Sequence, residues 1–388
     1  MGATTRENSR VPPASQPMTL VTGDLPFAGH TITNLCHHVS ARRPEDTCIV
    51  ESNYWSLGPQ RDSRDVRELG PRDILHLGNN PYSVPLVMAM KQGWRSPTVV
   101  LHDLWLFDLV DAWGEATGSS RLALRVLAQE LGVRASQQAL YFRAGHLIEQ
   151  EQVASMAACL MSSILPPDTR VIVHRDSAFV RETLARAGFG DVCRAALPLH
   201  YARLSPPRPV RPARWDIAVS GTGSFARRLP VIVDALKELS RERPIRVILV
   251  GGMSRAADEC HLEPGSTVDV VPTADDTNWS ELHASTRVGI RLGVGQLGEG
   301  SGLVRDYLAH GMAVITDDDE PPIRGHAAVH LVAPDASPEQ VAQSALVALA
   351  SQEVPATRED PAGLEAYSAS LLAALDPPRG SGSVPIHG

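Results

Sequence analysis

The chain consists of short apolar runs that alternate with amphipathic stretches, and this alternation restricts the fold more than any other feature of the sequence. Continuous runs of Val, Ile and Leu are typical of strands buried on both faces, as in parallel sheets covered by helices. Six runs fall in each half of the chain, so the sequence predicts two doubly wound α/β domains. The predicted strands are residues 18–22, 47–51, 73–77, 98–102, 170–174, 194–197, 215–220, 245–251, 267–271, 287–291, 312–316 and 328–332.

A proline-rich segment, SPPRPVRPAR at residues 205–214, separates the two halves. Proline cannot continue a strand or a helix, so we interpret the segment as an inter-domain linker. A chain of 388 residues also exceeds the size of a single hydrophobic core. The expected order is a disordered tail (1–16), a first Rossmann-like domain (17–204), the linker (205–214), a second Rossmann-like domain (215–362) and a C-terminal helix with a flexible tail (363–388).

Charge and cysteine content exclude several classes of protein. The formal net charge is -8, which disfavours a nucleic-acid partner or an anionic membrane surface. The five cysteines are scattered and form no CxxC pair, a pattern typical of a reducing cytoplasm and not of a disulfide scaffold or a cysteine zinc site. No apolar run approaches the roughly 18 residues of a membrane span, and residues 1–16 lack the apolar stretch of a signal peptide. We therefore expect a cytoplasmic protein.

Ligands bind beyond the carboxyl ends of the strands in doubly wound sheets, so the segments that follow strands are the candidate sites. One of them, GEGSGLVRD at residues 298–306, contains the start of a helix that the sequence predicts from Ser301 to His310, with Gly311 just after its end. A Gly-Ser-Gly helix start offers unpaired N–H groups and the positive end of the helix dipole to a phosphate or a sugar hydroxyl. Glu299 can accept hydrogen bonds from sugar hydroxyls, and Asp306 can reach a ribose. An ordinary capped helix with solvated acids is the alternative.

A second candidate, SGTGSFARRLP at residues 220–230, joins the first strand of the second half to its first helix. Small residues let a ligand approach the backbone, and the adjacent Arg227 and Arg228 could hold a diphosphate bidentately. The segment lacks the third glycine of a dinucleotide-binding fingerprint. A glycine-rich turn with surface arginines is therefore the alternative.

Two strand ends in the first half carry polar side chains. The run VVLHDL delivers His102 and Asp103 to one of them, and LGNNPY places Asn79 and Asn80 at another. These side chains could bind a ligand. A buried histidine bonded to the backbone and ordinary turn chemistry are the alternatives.

Other polar clusters do not predict a catalytic metal or a nucleophile. The run of Asp317 to Glu320 precedes two prolines, and we interpret it as a solvated turn rather than a divalent metal site. The pair His37 and His38 has no partner spacing for zinc. No GxSxG elbow, HExxH motif or P-loop is present. The sequence thus predicts no bound metal.

Taken together, the segments resemble the GT-B glycosyltransferases, specifically the retaining glycosyltransferase family 4, from about Thr19 to Leu349. The resemblance depends on the order and spacing of several motifs. They are HLGNNPY (76–82), VVLHDL (99–104), VIVH (171–174), GTGSFARRLPV (221–231), VPTADDTNWSEL (271–282) and RLGVGQLGEGSGLVRDYLAHGMAVITD (291–317). The fold that it implies is GT-B, with two doubly wound Rossmann-like domains facing a central cleft.

The resemblance also implies roles for individual residues. Glu299 matches the first glutamate of the family's E-x7-E motif, which contacts the donor sugar, and Asp306 is the acidic residue nearest to the second, ribose-binding glutamate. Arg227 matches the lysine on the diphosphate, His102 the active-site histidine near the donor sugar, and Gly29 the glycine loop that faces phosphate and acceptor. Thr222 stands where the family often has an arginine. The further residues implied for the donor are Gly221, Arg228, Val271, Gly300, Ser301, Gly302 and Leu303, and those for the acceptor are Asn79, Asn80 and Asp103.

The implied reaction transfers a sugar from a GDP- or UDP-sugar to a small polar acceptor with retained anomeric configuration. In such enzymes the leaving phosphate oxygen takes the acceptor's proton, so neither a protein nucleophile, nor a metal, nor a cofactor besides the nucleotide-sugar is needed. The acceptor is expected on the first domain, a bacterial antibiotic precursor is the favoured class, and the protein is expected to be a monomer or a homodimer. A nucleotide-sugar epimerase and a non-catalytic nucleotide-sugar-binding subunit are the alternatives.

Overall fold

The computed structural model describes residues 18–22, 35–36, 39–41, 47–51, 73–91, 98–144, 146–199, 212–221, 228–272, 276–293, 301–351 and 361–375. Five candidate site residues lie outside these ranges: Gly29, Thr222, Arg227, Glu299 and Gly300. The predicted tail at 1–16, most of the predicted linker and the predicted tail after residue 375 also lie outside them.

The first half of the chain forms a parallel sheet of six strands in the order β2-β1-β3-β4-β5-β6. The strands are β1 (Met18–Thr22), β2 (Thr47–Glu51), β3 (Asp73–Leu77), β4 (Thr98–Leu101), β5 (Arg170–Val173) and β6 (Val192–Arg194). The helices described in this half are α1 (Val84–Lys91), α2 (Phe107–Ala116), α3 (Leu122–Leu131), α4 (Val133–Arg143), α5 (Gln150–Ile164) and α6 (Ala178–Arg186). The described residues of β3 and β4 are buried throughout, as expected for strands covered on both faces.

The second half forms another six-stranded parallel sheet, in the order β12-β11-β10-β7-β8-β9. Its strands are β7 (Trp215–Ser220), β8 (Arg246–Val250), β9 (Thr267–Val271), β10 (Thr286–Arg291), β11 (Ala313–Thr316) and β12 (Val329–Leu331). Its helices are α7 (Leu229–Glu242), α8 (Ser254–Glu259), α9 (Asp276–Ala284), α10 (Gly302–Ala309), α11 (Pro321–Arg324) and α12 (Pro338–Ala350). The prediction of two doubly wound α/β domains is confirmed.

The strand at the edge of the first sheet differs from the prediction of residues 194–197. β6 comprises Val192–Arg194, and only the N–H of Ala195, which donates to the oxygen of Val173 (2.9 Å), extends the pairing. The edge strand is largely exposed, so it lacks a continuous apolar signature. The apolar residues Ala195 and Leu197 are buried for another reason, since they pack into the core under the first sheet.

The last helix, α13 (Pro361–Leu375), packs on the first sheet although it follows the second sheet in sequence. Its side chains Leu364, Tyr367 and Leu371 share a core with Leu20 and Ile74. The chain therefore returns from the second domain to cover one face of the first. None of the described helices is both long and apolar enough to cross a membrane.

Candidate functional site

Each sheet has a switch point, which is the place beside its first strand where the strand order reverses. In the first sheet β1 lies between β2 and β3, and in the second sheet β7 lies between β10 and β8. Ligands of doubly wound proteins bind in the crevice beyond the carboxyl ends of the strands at this point. The segments that follow β1, β3, β7 and β10 are therefore the ones that define the candidate site.

At the second switch point, helix α10 begins as the sequence predicts. Ser301 is its N-cap, and the Ser301 side chain accepts a hydrogen bond from the N–H of Val304 (3.3 Å). Gly302 and Leu303 are partly exposed in the first turn, where backbone N–H groups have no intrahelical acceptor. Gly311 has a φ of 72° and ends the helix as predicted. The helix start thus offers N–H donors and a positive dipole end to an anion.

The first turn is fixed by the acidic run that follows β11. The N–H of Ser301 donates to the Asp318 carboxylate (3.1 Å), and both residues are buried. Asp306, in the second turn of α10, is only 6% exposed. His310 Nδ1 donates a hydrogen bond to the backbone oxygen of Asp306 (2.6 Å).

The prediction that residues Asp317 to Glu320 form a solvated turn is wrong, because arginines and backbone donors pair with the buried carboxylates. The N–H of Gly293 donates to Asp317 (2.8 Å), and Arg291 lies 3.7 Å from the same carboxylate. Burial still raises the pKa of Asp317, although Arg291 opposes the shift. Within the described part of the chain, no group of three His, Cys, Asp or Glu side chains is arranged to hold a metal ion.

Arg228, one of the two arginines proposed for the diphosphate, is buried and bonded to the chain itself. Its Nη1 donates to the oxygen of Pro334 (2.6 Å) and its Nη2 to the oxygen of Ala336 (2.7 Å). Burial lowers the pKa of the guanidinium, while Asp317 and Asp335 act in the opposite direction. These two hydrogen bonds connect the start of α7 to the loop after β12.

Gly221 and Val271, the other described candidates of the donor side, lie at strand ends of the second sheet. Gly221 has a φ of 126°, which favours glycine. A Cβ at Gly251 would lie 2.1 Å from the oxygen of Gly221, so these two turns pack too closely for side chains. Val271 is the last residue of β9 and is partly exposed.

Two contacts connect the donor side to the first domain, one made by Arg305 and one made by Arg175. The Arg305 side chain, only 1% exposed, donates from Nη2 to Glu320 (2.8 Å) and from Nε to the oxygen of Pro198 (2.8 Å). Arg175, which follows β5, lies 3.5 Å from the Asp318 carboxylate and also pairs with Asp319. These contacts were not predicted, since the sequence gives no signal of which segments meet between the domains.

In the first domain, the polar residues after β3 and β4 hold each other and the start of α2. The Asn79 side chain accepts from the N–H of Asp108 (2.8 Å) and donates to the Asp108 carboxylate (3.0 Å). The N–H of Asn79 donates to the Asp103 carboxylate (2.8 Å). Asn80 accepts from the N–H of Ser83 (3.2 Å) and caps a short 3-10 turn. These contacts are the turn chemistry that the sequence left open as an alternative, and acceptor binding by these residues stays a prediction.

His102 belongs to a chain of three hydrogen-bonded histidines at the carboxyl ends of β3, β4 and β5. His102 Nε2 lies 2.9 Å from Nδ1 of His76, and His102 Nδ1 lies 3.0 Å from Nε2 of His174. His174 Nδ1 lies 3.0 Å from the oxygen of Ala195. Both ring nitrogens of His102 are therefore engaged by the protein. The signal for His76 and His174 was present, since His76 interrupts an apolar run and His174 ends one.

The three rings are neutral near pH 7. Burial, followed by the charge on His174, lowers the pKa of His76 to about 3. Burial also lowers the pKa of His174 to about 4, with Arg305 acting in the same direction and the bond to Ala195 opposing it. The pKa of His102 lies well below its ordinary value for the same reason.

Comparisons with known proteins identify the fold. No protein-family model matches the sequence, and no curated protein does. Among solved structures, an α,α-trehalose-phosphate synthase (UDP-forming) from Burkholderia vietnamiensis has a TM-score of 0.51 at 12% identity, over 93% of this chain and 95% of that one. HepE from Anabaena, in complex with UDP and glucose, has a TM-score of 0.50 at 13% identity, again over 93% and 95%. The fold is that of the GT-B glycosyltransferases, as predicted.

Proposed function

We propose that the protein is a retaining glycosyltransferase that acts in the cytoplasm and transfers a sugar from a GDP- or UDP-sugar to a small polar acceptor. The observation that carries the proposal is the second switch point, where the neighbouring strands β7 and β10 end and the start of α10 offers backbone N–H donors. The residues that follow β7 in the sequence and those that begin α10 are rich in glycine and serine, which would let a ligand approach the backbone closely. The similarity in fold to a UDP-forming synthase and to a protein bound to UDP and glucose supports the same choice.

The start of α10 suits the charge of a nucleoside diphosphate. In the reaction, negative charge grows on the diphosphate as the bond to the sugar breaks, and fixed donors and dipoles stabilise such charge most effectively. The N–H groups of Gly302 and Leu303 would supply the donors, and Arg227 would supply the positive charge. Arg228 would act on the diphosphate mainly by fixing the turn, because its Nη1 and Nη2 already bind backbone oxygens.

We assign the remaining donor contacts to residues at the same edge of the second sheet. Glu299 would hold hydroxyls of the sugar, and Asp306 would act on the ribose. Gly221, Thr222, Val271, Gly300 and Ser301 would line the nucleotide. No step in this scheme needs a metal ion, because arginine and the helix start neutralise the leaving group.

The acceptor would bind at the first switch point, on the opposite domain. Gly29, Asn79, Asn80, His102 and Asp103 are the residues that we assign to this side, with an antibiotic precursor as the favoured acceptor class. The leaving phosphate oxygen would take the acceptor's proton. This route agrees with histidines that are neutral and poorly basic at this edge of the first sheet.

The proposal is tested by measuring the melting temperature of the protein with UDP, GDP, ADP or dTDP, each with and without EDTA. A nucleotide that binds only the folded protein stabilises it by about 2.7 kcal/mol at one hundred times its Kd. We expect UDP or GDP to raise the melting temperature, and EDTA to leave the increase unchanged. No stabilisation by any of the four would contradict a nucleotide-sugar enzyme, and loss of stabilisation on chelation would contradict the metal-free scheme.

Turnover of the matching nucleotide-sugar then separates the enzyme classes. The proposal is supported if the nucleotide is released and the sugar is transferred to an added polyol, with the anomeric configuration of the sugar retained in the product. Isomerisation of the sugar without an acceptor would indicate an epimerase. Tight binding with no turnover against any acceptor would indicate a binding subunit.

A further inference from the structure

The histidine chain in the first domain has a fixed direction. The oxygen of Ala195 can only accept, so Nδ1 of His174 carries a proton and donates. Nε2 of a neutral His174 then accepts, and Nδ1 of His102 must donate to it. By the same reasoning His102 Nε2 accepts from Nδ1 of His76. A single backbone carbonyl therefore sets the tautomer of all three rings.

The row of hydrogen-bonded histidines ends at Nε2 of His76, which carries a lone pair and no proton. This nitrogen is buried and has no hydrogen-bond partner among the residues that the structure describes. The His76 side chain is only 1% exposed. A buried acceptor without a donor is energetically costly, so the position is unfavourable until a donor reaches it.

His76 also lies where a ligand is expected. It is on β3, and its register partner on β1 is Thr22, so it stands beside the switch point of the first sheet. His102 is one strand further from that point, and neither of its nitrogens is available. The free polar atom nearest to the switch point in this chain of rings therefore belongs to His76.

We propose that His76 Nε2 binds a hydroxyl group of the acceptor, and that His102 and His174 are positioning residues that keep this nitrogen an acceptor of hydrogen bonds. The inference rests on the proposed function for the name of the ligand, but the geometry selects the chemical class by itself. A lone pair in a fixed tautomer attracts O–H and N–H donors and repels carboxylate and phosphate oxygens. Polyols fit this requirement, and anions do not.

The three histidines would orient the hydroxyl group and would not remove its proton. A proton taken up at His76 would charge buried rings, and burial strongly disfavours that charge. A hydrogen bond from a non-reacting hydroxyl to the neutral nitrogen instead fixes the orientation of the acceptor, and the reacting hydroxyl keeps its proton for the leaving phosphate oxygen. Orientation of this kind is a recognised source of rate enhancement.

Nitrogen NMR of the full chain with 15N-labelled histidine, at pH 7, tests the tautomers directly. We expect His76, His102 and His174 each to show a protonated Nδ1 and a bare Nε2, with assignments from single substitutions. Glycerol is then titrated as a hydroxyl probe, and acetate as a matched probe without a donor at this pH. The bare Nε2 resonance of His76 should move towards lower frequency with glycerol and stay in place with acetate, while the exposed His146 reports general solvent effects.

A protonated Nε2 on His76, or a charged ring, would overturn the proposal, as would no response to glycerol or an equal response to acetate. His174→Phe and His174→Gln provide a second measurement. Phenylalanine cannot accept from His102, so His76 Nε2 should become partly protonated, whereas the glutamine oxygen can preserve the wild-type pattern. The wild-type spectrum decides the question even if a variant does not fold. Failure of every nucleotide to bind would refute the glycosyltransferase while leaving these resonances as predicted, so the two failures are distinguishable.

Discussion

Lowering the pH from 7 to 5 should destabilise the first domain through its buried histidines. His76 and His174 have pKa values lowered to about 3 and about 4, chiefly by burial, against an ordinary value of 6.5. The unfolded chain takes up protons below about pH 6.5, whereas the folded chain keeps these rings neutral until the pH approaches their lowered pKa values. The stabilising contribution is therefore fully present above pH 6.5 and is lost as the pH falls towards 4 and 3.

The size of the effect follows from the two pKa values. One pKa unit corresponds to 1.36 kcal/mol, and pH 5 is about 1.5 units below the unfolded value. Each ring therefore lowers the free energy of unfolding at pH 5 by about 2 kcal/mol relative to pH 7, and the two rings together lower it by about 4 kcal/mol. His102 adds to the loss in the same direction, since its pKa is lowered too.

Urea unfolding at pH 7, 6 and 5, together with hydrogen exchange of peptides that cover β4, measures this loss in the first domain. In His174→Gln the difference between pH 7 and pH 5 should shrink by about 2 kcal/mol, whatever the stability of the variant at pH 7. His261→Gln, an exposed position in the other domain, controls for the number of histidines. The buried carboxylates titrate in every variant and cancel in the comparison. An unchanged difference in His174→Gln, or equal wild-type stability at both pH values, would refute the reasoning.

Substitutions at three further positions, and a compensating one at Glu320, test the donor side and the buried Arg305 contacts. Glu299→Ala should abolish transfer but leave binding of the free nucleotide largely intact in calorimetric titrations, and an equal loss of both would indicate a structural role. Arg227→Ala should weaken nucleoside diphosphate binding by about ten- to a hundredfold, since a charge-assisted hydrogen bond contributes roughly 1.5–3 kcal/mol, and should affect the monophosphate less, whereas Arg227→Lys keeps part of the affinity. Arg305→Met leaves Glu320 buried without its partner (2.8 Å in the wild type) and should cost about 3–5 kcal/mol in urea unfolding. The double variant with Glu320→Leu should recover most of that loss, and no recovery would contradict the assignment of the cost to an unpaired charge.

The elements that the sequence predicts well are those with a local cause. The strand at 215–220 is an apolar run that the second sheet buries, and the predicted residues are the observed ones. Helix α10 has a serine cap at one end and a glycine with positive φ at the other, so both ends are determined by nearby residues. The edge strand β6 is exposed, and an exposed strand has no apolar run to reveal it.

Contacts between distant segments could not be predicted in the same way. His102 and His174 are 72 residues apart, and only the order of the strands brings them together. The burial of Asp318 depends on Arg175 of the other domain and on the N–H of Ser301. An acidic run beside two prolines looks solvated in the sequence, because the donors that pair with it come from distant parts of the chain.

The Arg305 side chain joins segments that are far apart in the sequence. Its Nε binds the oxygen of Pro198, just before the segment 205–214 that we proposed as the linker. Arg305 also donates to the oxygen of Ser301 (3.2 Å), at the start of α10. Bonds from one arginine thus join the start of α10 to a residue of the first half of the chain.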